Sequence, residues 1–140
     1  MNALMDELKE GFTCLGFFSN QFGHQTNEKN EEIVNTLAHV RPGNGFKCKF
    51  PIFAKCNVNG PKEAPLFTFL KEKLPIPVGA GAMQIMKNKG DILWEPVKRN
   101  DIAWNFEKFI VNKEGVPVAR WSKSTPVDDK LKKEIEPLLK

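Results

Sequence analysis

The chain has 140 residues, 41% of them hydrophobic and 27% charged, with a formal net charge of +4. That length admits a single domain, 1–140, and a mean hydropathy of −0.39 with no long apolar run argues against a membrane-spanning segment and a membrane partner. The 21 Lys and Arg are mixed with 17 Asp and Glu, so no basic stripe marks a nucleic-acid partner; a small anionic substrate suits the mild positive field better.

Met1 to Glu10 carries Leu4, Met5 and Leu8 at helical spacing and predicts an amphipathic helix stopped by Gly11, without the apolar core of a secretory signal. Phe12 to Ser19 is a short apolar run that predicts a buried strand. The polar run Asn20-Gln21-Phe22-Gly23-His24-Gln25 then leaves the strand's carboxyl end, where open α/β sheets place ligands. Asn20 and Gln21 are expected to shape this loop, with Phe22 packed under it. Asn27 or Asn30 is positioned to cap the next helix, Glu31 and Glu32 suit its first turn, and Ile33, Val34 and Leu37 are expected to point inward. Arg41-Pro42-Gly43-Asn44-Gly45 ends that helix.

Asn59-Gly60-Pro61 predicts a turn, and Pro65 to Lys73 a short helix carrying Leu66, Phe67, Phe69 and Leu70. From Leu74 to Glu95, Pro75, Pro77, Gly79, Gly81 and Gly90 interrupt any periodicity, which predicts a long loop that binds something or packs between subunits. Phe109-Ile110-Val111 and Val116 to Arg120 predict a hairpin turning at Asn112-Lys113-Glu114-Gly115. A last helix is predicted from about Asp128, with Leu131, Ile135 and Leu138 on one face.

Cys14, Cys48 and Cys56 show no Cys-x-x-Cys pair and no metal-ligand spacing with His24 or His39, so no metal is expected. Cys14 reads as a buried small hydrophobe, and Cys48 and Cys56 as accessible thiols with no sign of a lowered pKa. Gln25, Trp104 and Asn105 are neutral N–H donors of the kind that hold an anionic sulfur or selenium. Alone, Trp104-Asn105 is more often a packed ring beside a turn-forming amide, and Gln25 a surface glutamine by default.

Five segments in register carry more weight: Leu15 to Gly23, Asn30-Glu31-Glu32-Ile33, Val40-Arg41-Pro42-Gly43, Val58-Asn59-Gly60 and Trp104-Asn105-Phe106-Glu107-Lys108-Phe109. In this order and spacing the chain resembles the glutathione peroxidases over almost its whole length. The resemblance implies an α/β, thioredoxin-like fold whose first central strand is missing. It further implies a peroxidase that reduces hydrogen peroxide and organic hydroperoxides with glutathione as co-substrate, without a prosthetic cofactor. Gln25, Trp104 and Asn105 would then be three of the four residues of the catalytic site. The fourth, a selenocysteine or cysteine, would lie about ten residues upstream of Met1. A UGA codon read as a stop, with a restart at the next methionine, would place the chain's beginning there; a transcript variant or fragmentary assembly is the rival cause.

By the same resemblance Arg41 and Lys123 bind the glutathione carboxylates, and Lys29 contributes from a neighbouring subunit. Ser124 stands where glutathione-specific members often carry a second arginine. The 74–95 loop implies a homotetramer, and the lack of a cysteine in Arg41 to Phe46 favours glutathione over thioredoxin as reductant. The expected address is cytoplasmic, with secretion as the alternative. A non-catalytic homologue that serves as a structural or binding protein is the rival reading.

Overall fold

The structure, a computed structural model, describes residues 1–8, 10–79, 81 and 89–140. Helix α1 (Asn2–Glu7) packs against α4 (Asp129–Ile135) through Leu4, Leu8, Leu131 and Ile135, all buried. Asp128 caps α4 by accepting the Lys130 N–H at 3.0 Å. Lys132 reaches across to Glu7 at 2.7 Å. Leu138 of the predicted apolar face lies in a 3₁₀ turn, Glu136–Leu139, that continues α4.

The predicted strand over Phe12 to Ser19 is realised only as β1 (Gly16–Phe17) and is half-buried rather than buried. Its partner β2 (Ile52–Phe53) is just as short, and it was not anticipated; the apolar run Phe50-Pro51-Ile52-Phe53 was its signal. The two strands pair in parallel, Gly16 with Ile52 and Phe17 with Phe53. Strands β3 (Lys108–Val111) and β4 (Pro117–Trp121) form the expected antiparallel hairpin, with Gly115 at φ +77° in the turn. Among the described residues these are two separate two-stranded sheets, so no backbone ladder joins β1 to β3.

Alternation along β3 divides the interior. Phe109 faces a first cluster built on Phe22, Val58, Phe67, Leu70, Trp94 and Ile102, whereas Ile110 faces the α1–α4 cluster.

Helix α2 (Asn30–His39) begins one residue after Lys29, which is its N-cap in place of Asn27 or Asn30. The Glu32 carboxylate accepts the Lys29 N–H at 2.8 Å, while the Asn30 side chain accepts the Lys55 N–H at 2.8 Å. Ile33 is buried, but Val34 is exposed, because this helix touches the core along a narrow strip. Helix α3 (Pro65–Lys73) starts with proline, whose fixed φ suits a first turn. It buries Phe67 and Leu70 and leaves Leu66 and Phe69 largely exposed. It also buries Lys71, whose ammonium bonds Glu63, Asp101 and Asn59.

Of the 74–95 stretch, residues 80 and 82–88 lie outside the described residues. The remainder is a loop with two attachments. Val78 bridges Trp121, and Ile92 bridges Phe22 just after a 3₁₀ turn at Lys89–Asp91.

Candidate active site

The polar run after β1 is folded by its own amides. Asn20 donates from Nδ2 to Asn27 Oδ1 at 2.9 Å and accepts the Thr26 N–H at 2.9 Å, which closes the loop around Gln25. Gly23 sits at φ +62° with its N–H on Asp91 O at 3.0 Å. A Cβ there would meet the Trp104 ring and the Asp91 carboxylate, each at 3.3 Å. Only glycine fits both that backbone and that approach. Phe22 is buried beneath the loop, its ring 5.5 Å from Trp94 and 5.6 Å from Trp104.

The second loop, between Ile102 and β3, is anchored at both ends. The Ile102 N–H and C=O both bond the Asn59 side chain, and the Ala103 N–H donates to Glu107 Oε1 at 2.6 Å. Glu107 is held by Arg120 Nε at 2.8 Å, and Arg120 also donates to the carbonyls of Leu74, Pro75, Asn100 and Asp101. Its guanidinium lies 5.2 Å over the Phe109 ring. Phe106, at φ +71°, completes the tight reversal.

These two anchored loops bring Gln25 and Asn105 together across 80 positions of sequence. Asn105 Nδ2 donates to Gln25 Oε1 at 3.0 Å. That bond uses the glutamine's oxygen and leaves its Nε2 donors, like the Trp104 Nε1–H, without a partner among the described residues. Gln25 is exposed, while Trp104 and Asn105 are half-buried. The result is a small, uncharged set of N–H donors at the protein surface, backed by an aromatic wall.

Lys29, Arg41 and Lys123 lie elsewhere in the fold. Lys29 precedes α2, beside an open concavity lined by Asn27, Asn30, Glu31 and Lys55. Arg41 follows α2 and is exposed, and Lys123 sits half-buried in the turn closed by the Thr125 N–H on Ser122 O. Among the described residues none of the three forms an ion pair, so all three charges are open to solvent or to a ligand.

All three thiols are half-buried rather than fully buried or fully exposed. Burial pushes each of them above the ordinary value of 9.0, and Cys48 adds to the rise at Cys14. A thiol held protonated is a poor nucleophile. We expect alkylation by iodoacetamide at pH 7.5 to be slower at each of these cysteines than at a cysteine in an unstructured peptide. Rates equal to the peptide's would show that burial does not govern these thiols. The linked effect on stability has a definite sign. A raised folded-state pKa gives a contribution that is fully present below the unfolded thiol's value and lost as pH rises through the folded one. Thermal stability should therefore fall as pH is raised from about 8.5 upward, and cysteine-to-serine variants should show less of that fall.

The residues that hold the two loops were not legible beforehand. Asn59 reads as a turn residue, and nothing in the sequence marks Lys71, Asp101, Glu107 or Arg120 as buried, because hydrophobic periodicity carries no signal for a buried polar side chain.

The family model described as glutathione peroxidase matches residues 1–71. Glutathione peroxidase 1 of Mus musculus is 52% identical over 140 residues, 99% of this chain and 69% of that protein; the Rattus norvegicus protein is 51% identical with the same coverage. Among solved structures, the crystal structure of T. cruzi GPX1 superposes with a TM-score of 0.61 at 32% identity, covering 99% of this chain and 67% of that one. With its mixture of helices and short strands, the fold is of the thioredoxin-like α/β type.

Proposed function

Because the chain belongs to the glutathione peroxidase family, whose members are peroxide-reducing oxidoreductases using glutathione as co-substrate, we propose that Gln25, Trp104 and Asn105 form its catalytic donor set. The Asn105–Gln25 hydrogen bond carries this reading, since it joins donors from opposite halves of the chain, while Gln25 Nε2 and Trp104 Nε1 have no partner among the described residues. Reduction of a hydroperoxide begins with attack of a thiolate or selenolate on the O–O bond. The site must hold that anion and deliver a proton to the departing alkoxide. Neutral N–H donors stabilise the anion without neutralising it permanently.

The nucleophile in this proposal is a selenocysteine or cysteine upstream of Met1; burial pushes the Cys14, Cys48 and Cys56 thiols up, which argues against each of these three in that role. The test is glutathione-dependent peroxide reduction, followed by NADPH consumption through glutathione reductase. The 140-residue chain should not exceed the free-thiol background, and adding the family's upstream segment should produce turnover. Turnover by the 140-residue chain that disappears on Cys14→Ser, Cys48→Ser or Cys56→Ser would move the nucleophile into the described fold. Absence of activity in both forms would favour the non-catalytic homologue.

For the reductant, Arg41 and Lys123 are proposed to bind the glutathione carboxylates, with Lys29 contributed by a neighbouring subunit; their lack of ion pairs supports this. Arg41→Glu should raise the KM for glutathione at least about tenfold while leaving the rate of the peroxide step unchanged. An unaltered glutathione KM would remove Arg41 from the site.

A homotetramer assembled through the 74–95 loop is part of the same proposal, supported by the exposed apolar side chains of Ile76 and Val78. The three unpaired cysteines favour a reducing, cytoplasmic compartment over a secreted one. Among the described residues no helix is long and apolar enough to cross a membrane.

A further inference from the structure

Among the described residues the two loops of the candidate site come from segments that share no backbone ladder. The connection runs through two buried carboxamides. Gln21 is 6% exposed; its Oε1 accepts the Val58 N–H at 2.7 Å and the Asn59 N–H at 3.1 Å, while its Nε2 donates to Asn59 O at 2.9 Å. Asn59, 1% exposed, repeats the pattern one step further on. Its Nδ2 donates to Ile102 O and its Oδ1 accepts the Ile102 N–H, both at 2.9 Å.

Each amide thus satisfies a backbone donor and a backbone acceptor at once, as a neighbouring strand would. Among uncharged side chains, only Asn and Gln offer a strong acceptor and two donors from one planar group. The Lys71 ammonium, 3.2 Å from Asn59 Oδ1, fixes which end of that amide is oxygen, because an ammonium only donates. Gln25 follows Gln21 by four residues, and Trp104 and Asn105 follow Ile102 by two and three.

We propose that Gln21 and Asn59 are positioning residues whose side-chain amides link the Gln25 loop to the Trp104–Asn105 loop and set the distance between them. The purpose of that distance rests on the peroxidase reading above; the positioning itself is tested independently of it.

The decisive variant is Asn59→Asp in the 140-residue chain. It keeps the side chain's volume and its acceptor toward the Ile102 N–H, removes the donor toward Ile102 O, and places the new carboxylate beside Lys71. In ¹H–¹⁵N spectra the side-chain amide signals of Gln25 and Asn105 and the indole signal of Trp104 should all shift. The control is Ile135→Ala, which loosens the α1–α4 cluster and touches neither amide, so its spectrum reports general destabilisation. Gln21→Glu, which lies away from the Lys71 ion pairs, should move the same three signals and decides the matter if Asn59→Asp does not fold.

The proposal is overturned if both variants, or Gln21→Glu alone where the other fails to fold, leave those signals as they are in Ile135→Ala. Undiminished peroxide turnover in Trp104→Phe, measured in an enzyme form that carries the peroxidatic residue, would by contrast overturn the peroxidase assignment of the site and leave the spectral response untouched.

Discussion

Replacing Arg120 with alanine is expected to cost about 3–5 kcal/mol of stability, the range found when one partner of a buried ion pair is removed. The guanidinium is buried, as is the Glu107 carboxylate that it bonds at 2.8 Å. Alanine would leave that carboxylate unpaired in a dry environment and strip the donors from the carbonyls of Leu74, Pro75, Asn100 and Asp101. A domain of this size is stable by only about 5–15 kcal/mol, so the variant should be partly unfolded at 37 °C or close to it.

The damage should also be local, because Glu107 anchors Ala103 and an unpaired Glu107 would release the start of the Trp104–Asn105 loop. Urea unfolding followed by circular dichroism measures the loss. A double variant, Arg120→Met with Glu107→Leu, should recover part of it, since it buries no orphaned charge. If Arg120→Ala unfolds within 1 kcal/mol of the parent, water reaches this ion pair and the network does not hold the loop.

The largest effect on chemistry is expected at Trp104. In an enzyme form that carries the peroxidatic residue, Trp104→Phe should lower the rate of peroxide reduction by about two to three orders of magnitude, the range associated with loss of one preorganised donor to a reacting anion. Phenylalanine retains a ring against Phe22 and deletes the Nε1–H, so the loss isolates the donor from the packing. The thermal midpoint should change little by comparison. Stopped-flow measurement of the peroxide step, separate from steady-state glutathione dependence, distinguishes the two half-reactions. A defect confined to the glutathione half-reaction would assign Trp104 to the reductant pocket.

Gln25→Ala is expected to act in the same direction but less strongly, because Gln25 is exposed and water can replace its amide.

The chain's local signals determined its helices and its hairpin. Leu131 and Ile135 at helical spacing define α4, the alternation of Phe109 and Ile110 places β3 between two apolar clusters, and Gly115 turns the hairpin. These features follow from periodicities of 3.6 and 2 residues, which belong to segments and need no knowledge of their neighbours. The five segments in register led directly to the family, and with it to Gln25, Trp104 and Asn105.

Tertiary structure decided how much of each apolar run became a strand. Phe12 to Ser19 has strand composition throughout, yet pairing ends where the two-residue β2 ends, because a ladder is no longer than its partner. It also decided which polar residues lie inside. Asn59 and Lys71 carry no sequence mark of burial, and each is dry only because the other, with Asp101, Glu63 and the Ile102 backbone, satisfies its hydrogen bonds. Whether such residues sit in solvent or in the core depends on partners that are distant in sequence, 43 positions apart for Asn59 and Ile102. The Asn105–Gln25 contact is of the same kind. The sequence names its members, and only the folded chain puts the Asn105 amide 3.0 Å from the Gln25 oxygen.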